Sequence, residues 1–304
     1  MRVFHGMARR LRFIPEGGAL VEVTCRTVHG RFLMKPSRRL NEIVLGVLAR
    51  AQRLYPVDIV APVFLSNHYH LLVWVPNAQR LAAFMGYLNG NLAKEAGRIA
   101  NWREKFWGRR YQAIVVSDES AAQIARLEYI LSHGVKEGLV RRPADWPGVN
   151  GVHTLLEAKP LEGAWVNRTK AYNARMRGEK LSKEEIESTE TVSLAPLPCW
   201  AHLDAATYRD KVAELVAAIE EAGRENSPAL ALPQSAHERP PRSKRSPAPY
   251  FHCASKRVRR ELFEVYCWFV AAHREATERL SRGDPSPGFP KGSFPPSLPY
   301  VAHA

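Results

Sequence analysis

The stretch Leu65-Ser66-Asn67-His68-Tyr69-His70-Leu71-Leu72-Val73-Trp74-Val75 sets terms for the whole chain. It is rich in β-branched, aromatic and other apolar residues and has no Gly or Pro inside, which predicts a strand. Side chains alternate faces along a strand, so His68 and His70 point the same way. Tyr69, Leu71 and Val73 point the other way, into a core. Two imidazoles side by side on one sheet face are placed to share a metal ion. The competing reading of so short a pattern is a pair of surface or packing histidines.

The neighbouring segments build a sheet around that strand. Ala19 to Val28 is β-prone, with Val21, Val23, Cys25 and Thr27 on one face. Apolar residues at helical spacing predict a helix over Arg38 to Leu54, entered through Ser37 as N-cap. Val57 to Phe64 reads as a strand joined to the histidine strand by a short hairpin step. Leu81, Phe84, Met85, Leu88, Leu92 and Ala96 mark a second helix, and Tyr111 to Val116 a fourth strand. Ser117 to Ser120 opens a third helix running to about His133. The order β-α-β-β-α-β-α predicts an α+β fold: a ferredoxin-like or RRM-like antiparallel four-stranded sheet, with helices on one face and the other face free for a ligand. Residues 1–150 are expected to form this domain. A mostly helical C-terminal extension follows. It divides into a mixed segment over 151–226, a Pro- and Arg-rich linker over 227–249, and a basic helix with an irregular tail over 250–304. Within it, the charged run from Arg168 to Glu190 reads as solvated helix and loop.

Charge narrows the partner. Lys and Arg number 44 against 30 Asp and Glu, a formal net charge of +14. That surplus favours a polyanion, nucleic acid before membrane. No apolar run approaches the roughly 20 residues of a membrane span, and the first residues lack the apolar core of a signal peptide. Cys25, Cys199, Cys253 and Cys267 form no Cys-x-x-Cys pair, which argues against a disulfide framework or zinc knuckle. A cytoplasmic protein is expected.

Chemistry enters with Arg126-Leu127-Glu128-Tyr129-Ile130-Leu131-Ser132-His133. Tyr129 and His133 are four apart and project from one helix face. Laid against His68 and His70, that face would make a three-imidazole metal site with a phenol beside it. A phenol next to a divalent cation suits attack on a phosphodiester. With a pKa of about 10, it is a better leaving group than a sugar hydroxyl, so the linkage can be reversed by another DNA 3′-hydroxyl. Around Trp102, Trp107 and Tyr111 stand Arg103, Lys105, Arg109 and Arg110, aromatics among cations that can stack unpaired bases and hold phosphates. Arg242, Lys244, Arg245, Lys256, Arg257, Arg259 and Arg260 form a basic arm leading into the last helix and suit DNA backbone contact.

Asn67-His68-Tyr69-His70-Leu71-Leu72, Phe106-Trp107-Gly108-Arg109-Arg110-Tyr111, Glu128-Tyr129-Ile130 and Val135-Lys136-Glu137-Gly138-Leu139-Val140 occur in that order. Together they resemble the REP-associated tyrosine transposases, IS200-like single-tyrosine members of the HUH superfamily. The resemblance covers roughly residues 10–150. It implies that His68 and His70 bind Mg²⁺ or Mn²⁺ and that Tyr129 is the nucleophile. It also implies that the side chain one turn later, here His133, completes the metal site. Relatives carry an amide there; nitrogen suits Mn²⁺ better than Mg²⁺. The expected function is cleavage and rejoining of single-stranded, hairpin-bearing DNA through a 5′-phosphotyrosine, by a monomer or homodimer. The alternatives are an RRM-like module that binds single strands without cutting, and a metal-dependent nuclease that uses water.

Overall fold

The structure, a computed structural model, describes residues 10–224, 235–238 and 248–296. The first part contains β1 (Ala19–Arg26), α1 (Arg38–Leu54), β2 (Asp58–Phe64), β3 (His68–Val75), α2 (Ala78–Ile99), β4 (Gln112–Val116) and α3 (Ser120–Leu131). Then come α4 (Val152–Glu157), β5 (Leu161–Val166), α5 (Arg168–Met176), α6 (Lys183–Ile186), β6 (Glu187–Val192) and α7 (Ala205–Ala222). The chain closes with β7 (Phe251–His252) and α8 (Lys256–Ser281). The predicted entry to α1 is present, the Ser37 hydroxyl accepting from the Leu40 N–H; α2 is capped in the same way, the Asn77 side chain accepting from the Arg80 N–H.

The main sheet has the order β2-β3-β1-β4-β7. Its first four strands are antiparallel in the ferredoxin-like arrangement expected from the sequence, with Thr24 opposite His70 and Arg26 opposite His68. A fifth strand is added from the C-terminal region: β7 lies parallel to β4. Two residues long, it carries no periodicity by which to predict it. Glu119, just before α3, holds it in place. The carboxylate accepts from the N–H groups of Ala254 and Ser255 at 2.9 and 3.0 Å, and from the Ser117 hydroxyl at 2.8 Å.

Strand alternation divides the core in two. Val21, Val23, Cys25, Tyr69, Leu71 and Val73 face α1 and α2. Leu20, Leu72 and Val116 face the other way, onto Leu127 and Ile130 of α3, with Val212, Val216 and Ile219 of α7 in the same cluster. The histidine face of the sheet is therefore not left open. The apolar stripe of α3 covers part of it and brings Tyr129 there.

The run from Arg168 to Glu190 is largely exposed and partly helical, as its charge predicts, and departs from expectation in the strand at its end. It contains α5, α6 and most of β6, and β6 pairs antiparallel with β5. This small sheet lies on α1, where Glu190 accepts from Arg50 at 3.0 Å and Arg53 at 2.9 Å. Backbones touch at the contact. A Cβ on Gly46 would lie 2.1 Å from the Ala164 carbonyl oxygen, and one on Gly163 would lie 2.2 Å from that of Glu42. Most of the expected 227–249 linker falls outside the described residues. Among the described residues, no helix is long and apolar enough to cross a membrane.

Candidate metal and nucleophile site

His68 and His70 stand on β3, two residues apart and on one face. The third histidine arrives differently from expectation. Helix α3 ends at Leu131, so His133 sits in the turn beyond it. Gly134 follows at φ +94°, a left-handed conformation that favours glycine. His133 is nevertheless buried against the strand pair. One ligand atom from each of His68, His70 and His133 lies within 4.8 Å of the others. The His70 and His133 rings are 4.2 Å apart, and His68 and His70 5.2 Å.

Every Nδ1 in the trio faces an oxygen. Asn67 Oδ1 is 2.6 Å from His68, Glu22 Oε1 2.7 Å from His70, and the Ile130 carbonyl 3.2 Å from His133. An acceptor at Nδ1 keeps the proton there and leaves the Nε2 lone pair to bind. Burial, reinforced by His70 and His133, holds the His68 imidazolium well below the ordinary histidine range. Burial, then the neighbouring His70, brings His133 down to about 2. Histidine binds a cation through a free Nε2 atom, so the donor set, with each Nδ1 facing an acceptor, fits a divalent metal.

Tyr129 lies beside the trio, its ring 4.8 Å from that of His133 and 5.8 Å from that of His70. Its hydroxyl makes no hydrogen bond among the described residues. Two cations flank the ring: Lys136 Nζ at 3.3 Å and the Arg126 guanidinium at 4.3 Å from its centroid. Burial, with the charge of Glu22, raises the phenol above its ordinary value. Burial lowers the Lys136 ammonium to about 8.

Glu22 escaped the sequence reading, although a carboxylate inside Ala19-Leu20-Val21-Glu22-Val23 is the signal that would have found it. It is 3% exposed. Burial pushes its carboxyl up. Hydrogen bonds from His252 and His70, with the charge of Arg126, outweigh that and hold it well below the carboxylate range.

The residues expected to hold DNA fall into two groups. Trp102 to Tyr111 passes the end of β1, where Trp107 bridges to Thr27, next to Arg26 and its register partner His68. Arg103, Lys105, Arg109 and Arg110 are exposed there. The aromatics are more committed to packing. Trp107 donates its indole N–H to the Asn89 carbonyl at 2.9 Å and meets Tyr69 edge-on. Tyr111 is buried with the first core, away from the histidines. Trp102 is half-buried, with the Arg31 guanidinium over its ring. In the second group, Lys256, Arg257, Arg259 and Arg260 are exposed in the opening turns of α8. Arg257 pairs with Glu261. The other three border a cleft of about 770 Å³ between α3 and α8, also lined by Arg126 and His252. Arg242, Lys244 and Arg245 lie outside the described residues.

Residues 31–133 match the family described as "Transposase IS200 like". A curated relative from Haemophilus influenzae, named "Putative REP-associated tyrosine transposase", is 32% identical over 122 residues, 36% of this chain and 68% of that protein. The chain belongs to this family of IS200-like, REP-associated transposases. Among solved structures, a REP-associated tyrosine transposase bound to a REP hairpin is 18% identical, with a TM-score of 0.39 over 49% of this chain and 85% of that one. A "putative transposase" of Deinococcus radiodurans is 16% identical, with a TM-score of 0.28 over 40% and 95%.

Proposed function

We propose that the protein cleaves and rejoins single-stranded DNA through Tyr129, beside a divalent cation, Mg²⁺ or Mn²⁺, held by His68, His70 and His133. The observation that carries this reading is the convergence of three Nδ1-anchored imidazoles with the Tyr129 ring 4.8 Å from one of them. When bound, the cation draws charge from a non-bridging phosphate oxygen. The Tyr129 oxygen attacks phosphorus, the bond to the 3′-oxygen breaks, and the strand leaves as a 3′-hydroxyl. The phenol gives up one proton and the departing oxygen takes one, so the step balances. Tyr129 is left joined to the 5′-phosphate. Lys136 and Arg126 favour the phenolate on the way in and again when it leaves. Attack by another 3′-hydroxyl reverses the linkage and transfers the strand.

Lys256, Arg259 and Arg260 lead the strand along the α3–α8 cleft toward Arg126. Arg103, Lys105, Arg109 and Arg110 hold phosphates near the His68 end of the sheet. Family membership makes hairpin-forming repeats the expected substrate. Labelled hairpin DNA incubated with protein and Mn²⁺, then denatured, should yield a covalent adduct that the Tyr129→Phe protein does not form. Cutting without an adduct would instead identify a water-using nuclease, and binding with neither an RRM-like module.

A further inference from the structure

We propose that Glu22 is a positioning residue for the metal-ligating His70, and that the C-terminal strand β7 shares in that site through His252. The inference rests on the metal reading above and extends it to residues outside the 31–133 span matched to the family.

Glu22 is on the central strand β1, where its register neighbours are Leu72 on β3 and Ile114 on β4. An apolar residue would suit such a place. A buried carboxylate loses its hydration, and a paired one is often no more stabilising than a well-packed apolar side chain. Stability alone therefore gives no reason for a charge here, but its three contacts do. Oε1 stands 2.7 Å from His70 Nδ1. Oε2 accepts from Arg126 at 3.0 Å and lies 2.7 Å from His252 Nε2. A carboxylate on the far nitrogen of a ligating histidine fixes its tautomer and ring orientation and makes the near nitrogen a stronger donor. Oε2, held by two partners, keeps Oε1 aimed at His70.

The partners extend the arrangement. Arg126 lies one turn before Tyr129 on α3 and also stands over the Tyr129 ring, so one carboxylate bridges the strand of the ligand and the helix of the nucleophile. His252 comes from β7, whose register places it opposite Val116. The C-terminal extension is thus part of the wall behind the metal ligands as well as a surface for DNA.

The test measures Mn²⁺ affinity by titration calorimetry and electron paramagnetic resonance, without DNA. Glu22→Gln keeps the shape and removes the charge. It should weaken Mn²⁺ binding by about 10-fold or more, within the roughly 10- to 100-fold range for such outer partners, while circular dichroism and the melting curve stay native. His252→Ala should shift affinity the same way by a smaller factor. In the metal-free wild type, long-range ¹H–¹⁵N spectra should show His70 with its proton on Nδ1, a readout that needs no variant. A His70 proton on Nε2, or unchanged Mn²⁺ affinity in a folded Glu22→Gln protein, overturns this inference alone. An unchanged affinity in a folded His252→Ala protein removes β7 from it. Failure of the wild type to bind Mn²⁺ overturns the metal reading and this inference together.

Discussion

Lys136 Nζ stands 3.3 Å from the centroid of the Tyr129 ring, in the turn that follows the helix carrying that ring. A partly desolvated ammonium over a phenol stabilises negative charge developing on the oxygen, by ~0.5–2 kcal/mol. Lys136→Met should therefore slow adduct formation by roughly 2- to 30-fold, read by quenched-flow sampling on denaturing gels. The sign of the pH effect follows from the lowered ammonium. The charge is present below about pH 8 and lost above it. The rate of the wild type relative to Lys136→Arg should hold below that pH and fall as pH rises through it. A flat ratio would remove Lys136 from the chemistry.

In the proposed metal site, His133 is the ligand that comes from outside the helix. His133→Ala is expected to lose most Mn²⁺ affinity in calorimetry. His133→Gln offers an oxygen in place of nitrogen and should move the ratio of adduct formed with Mg²⁺ to that formed with Mn²⁺ upward. An unchanged ratio would mean that residue 133 does not ligate.

Gly46 and Gly163 allow β5 to rest on α1 with no side chain between them. Gly46→Ala and Gly163→Ala each place a methyl group inside a backbone contact and should lower unfolding free energy by ~1–3 kcal/mol in urea titrations. No loss at either position would show that the small sheet lifts away freely.

Glu119 holds the β7–α8 junction through two donors, the Ala254 and Ser255 N–H groups, and is itself steadied by the Ser117 hydroxyl. Glu119→Ala should raise amide hydrogen exchange at residues 251–255 and leave α2 protected. Hydrogen bonding from Ser255 and Ser117 lowers its carboxyl below the ordinary value. The folded form is thus favoured above the unfolded pKa, and that contribution disappears as pH falls through the lowered one. The same exchange increase should therefore appear in the wild type only in acid.

Arg259 and Arg260 are exposed on the cleft in front of Arg126. If both contact phosphates, the Arg259→Ala, Arg260→Ala double variant should bind single-stranded DNA more weakly. Its log affinity against log salt should be shallower by about 1.4, two contacts at roughly 0.7 each. An unchanged slope would place the strand elsewhere.

Much of this could be read along the chain because the responsible forces are local. Strand alternation puts His68 and His70 on one face whatever surrounds them, and apolar spacing with Ser37 delimits α1 to the residue. Contacts between residues distant in the chain leave no such local mark. The strand β6 at the end of the exposed charged run has no local signal, because the partners of Glu190, Arg50 and Arg53, are far away in sequence. Trp107 and Tyr111 looked available for bases because composition does not reveal which aromatic faces a core wall.

The sequence by itself determined the ferredoxin-like order of strands, the paired histidines and the candidate phenol. These follow from backbone periodicity and side-chain chemistry within short segments. Only the tertiary structure decided that α3 closes over the histidine face, that His133 reaches the site from a turn, and that Glu22, Arg126 and His252 meet behind His70. Each of those meetings joins residues from separate strands and helices, whose distances are set by the packing of two cores rather than by any neighbour in the chain.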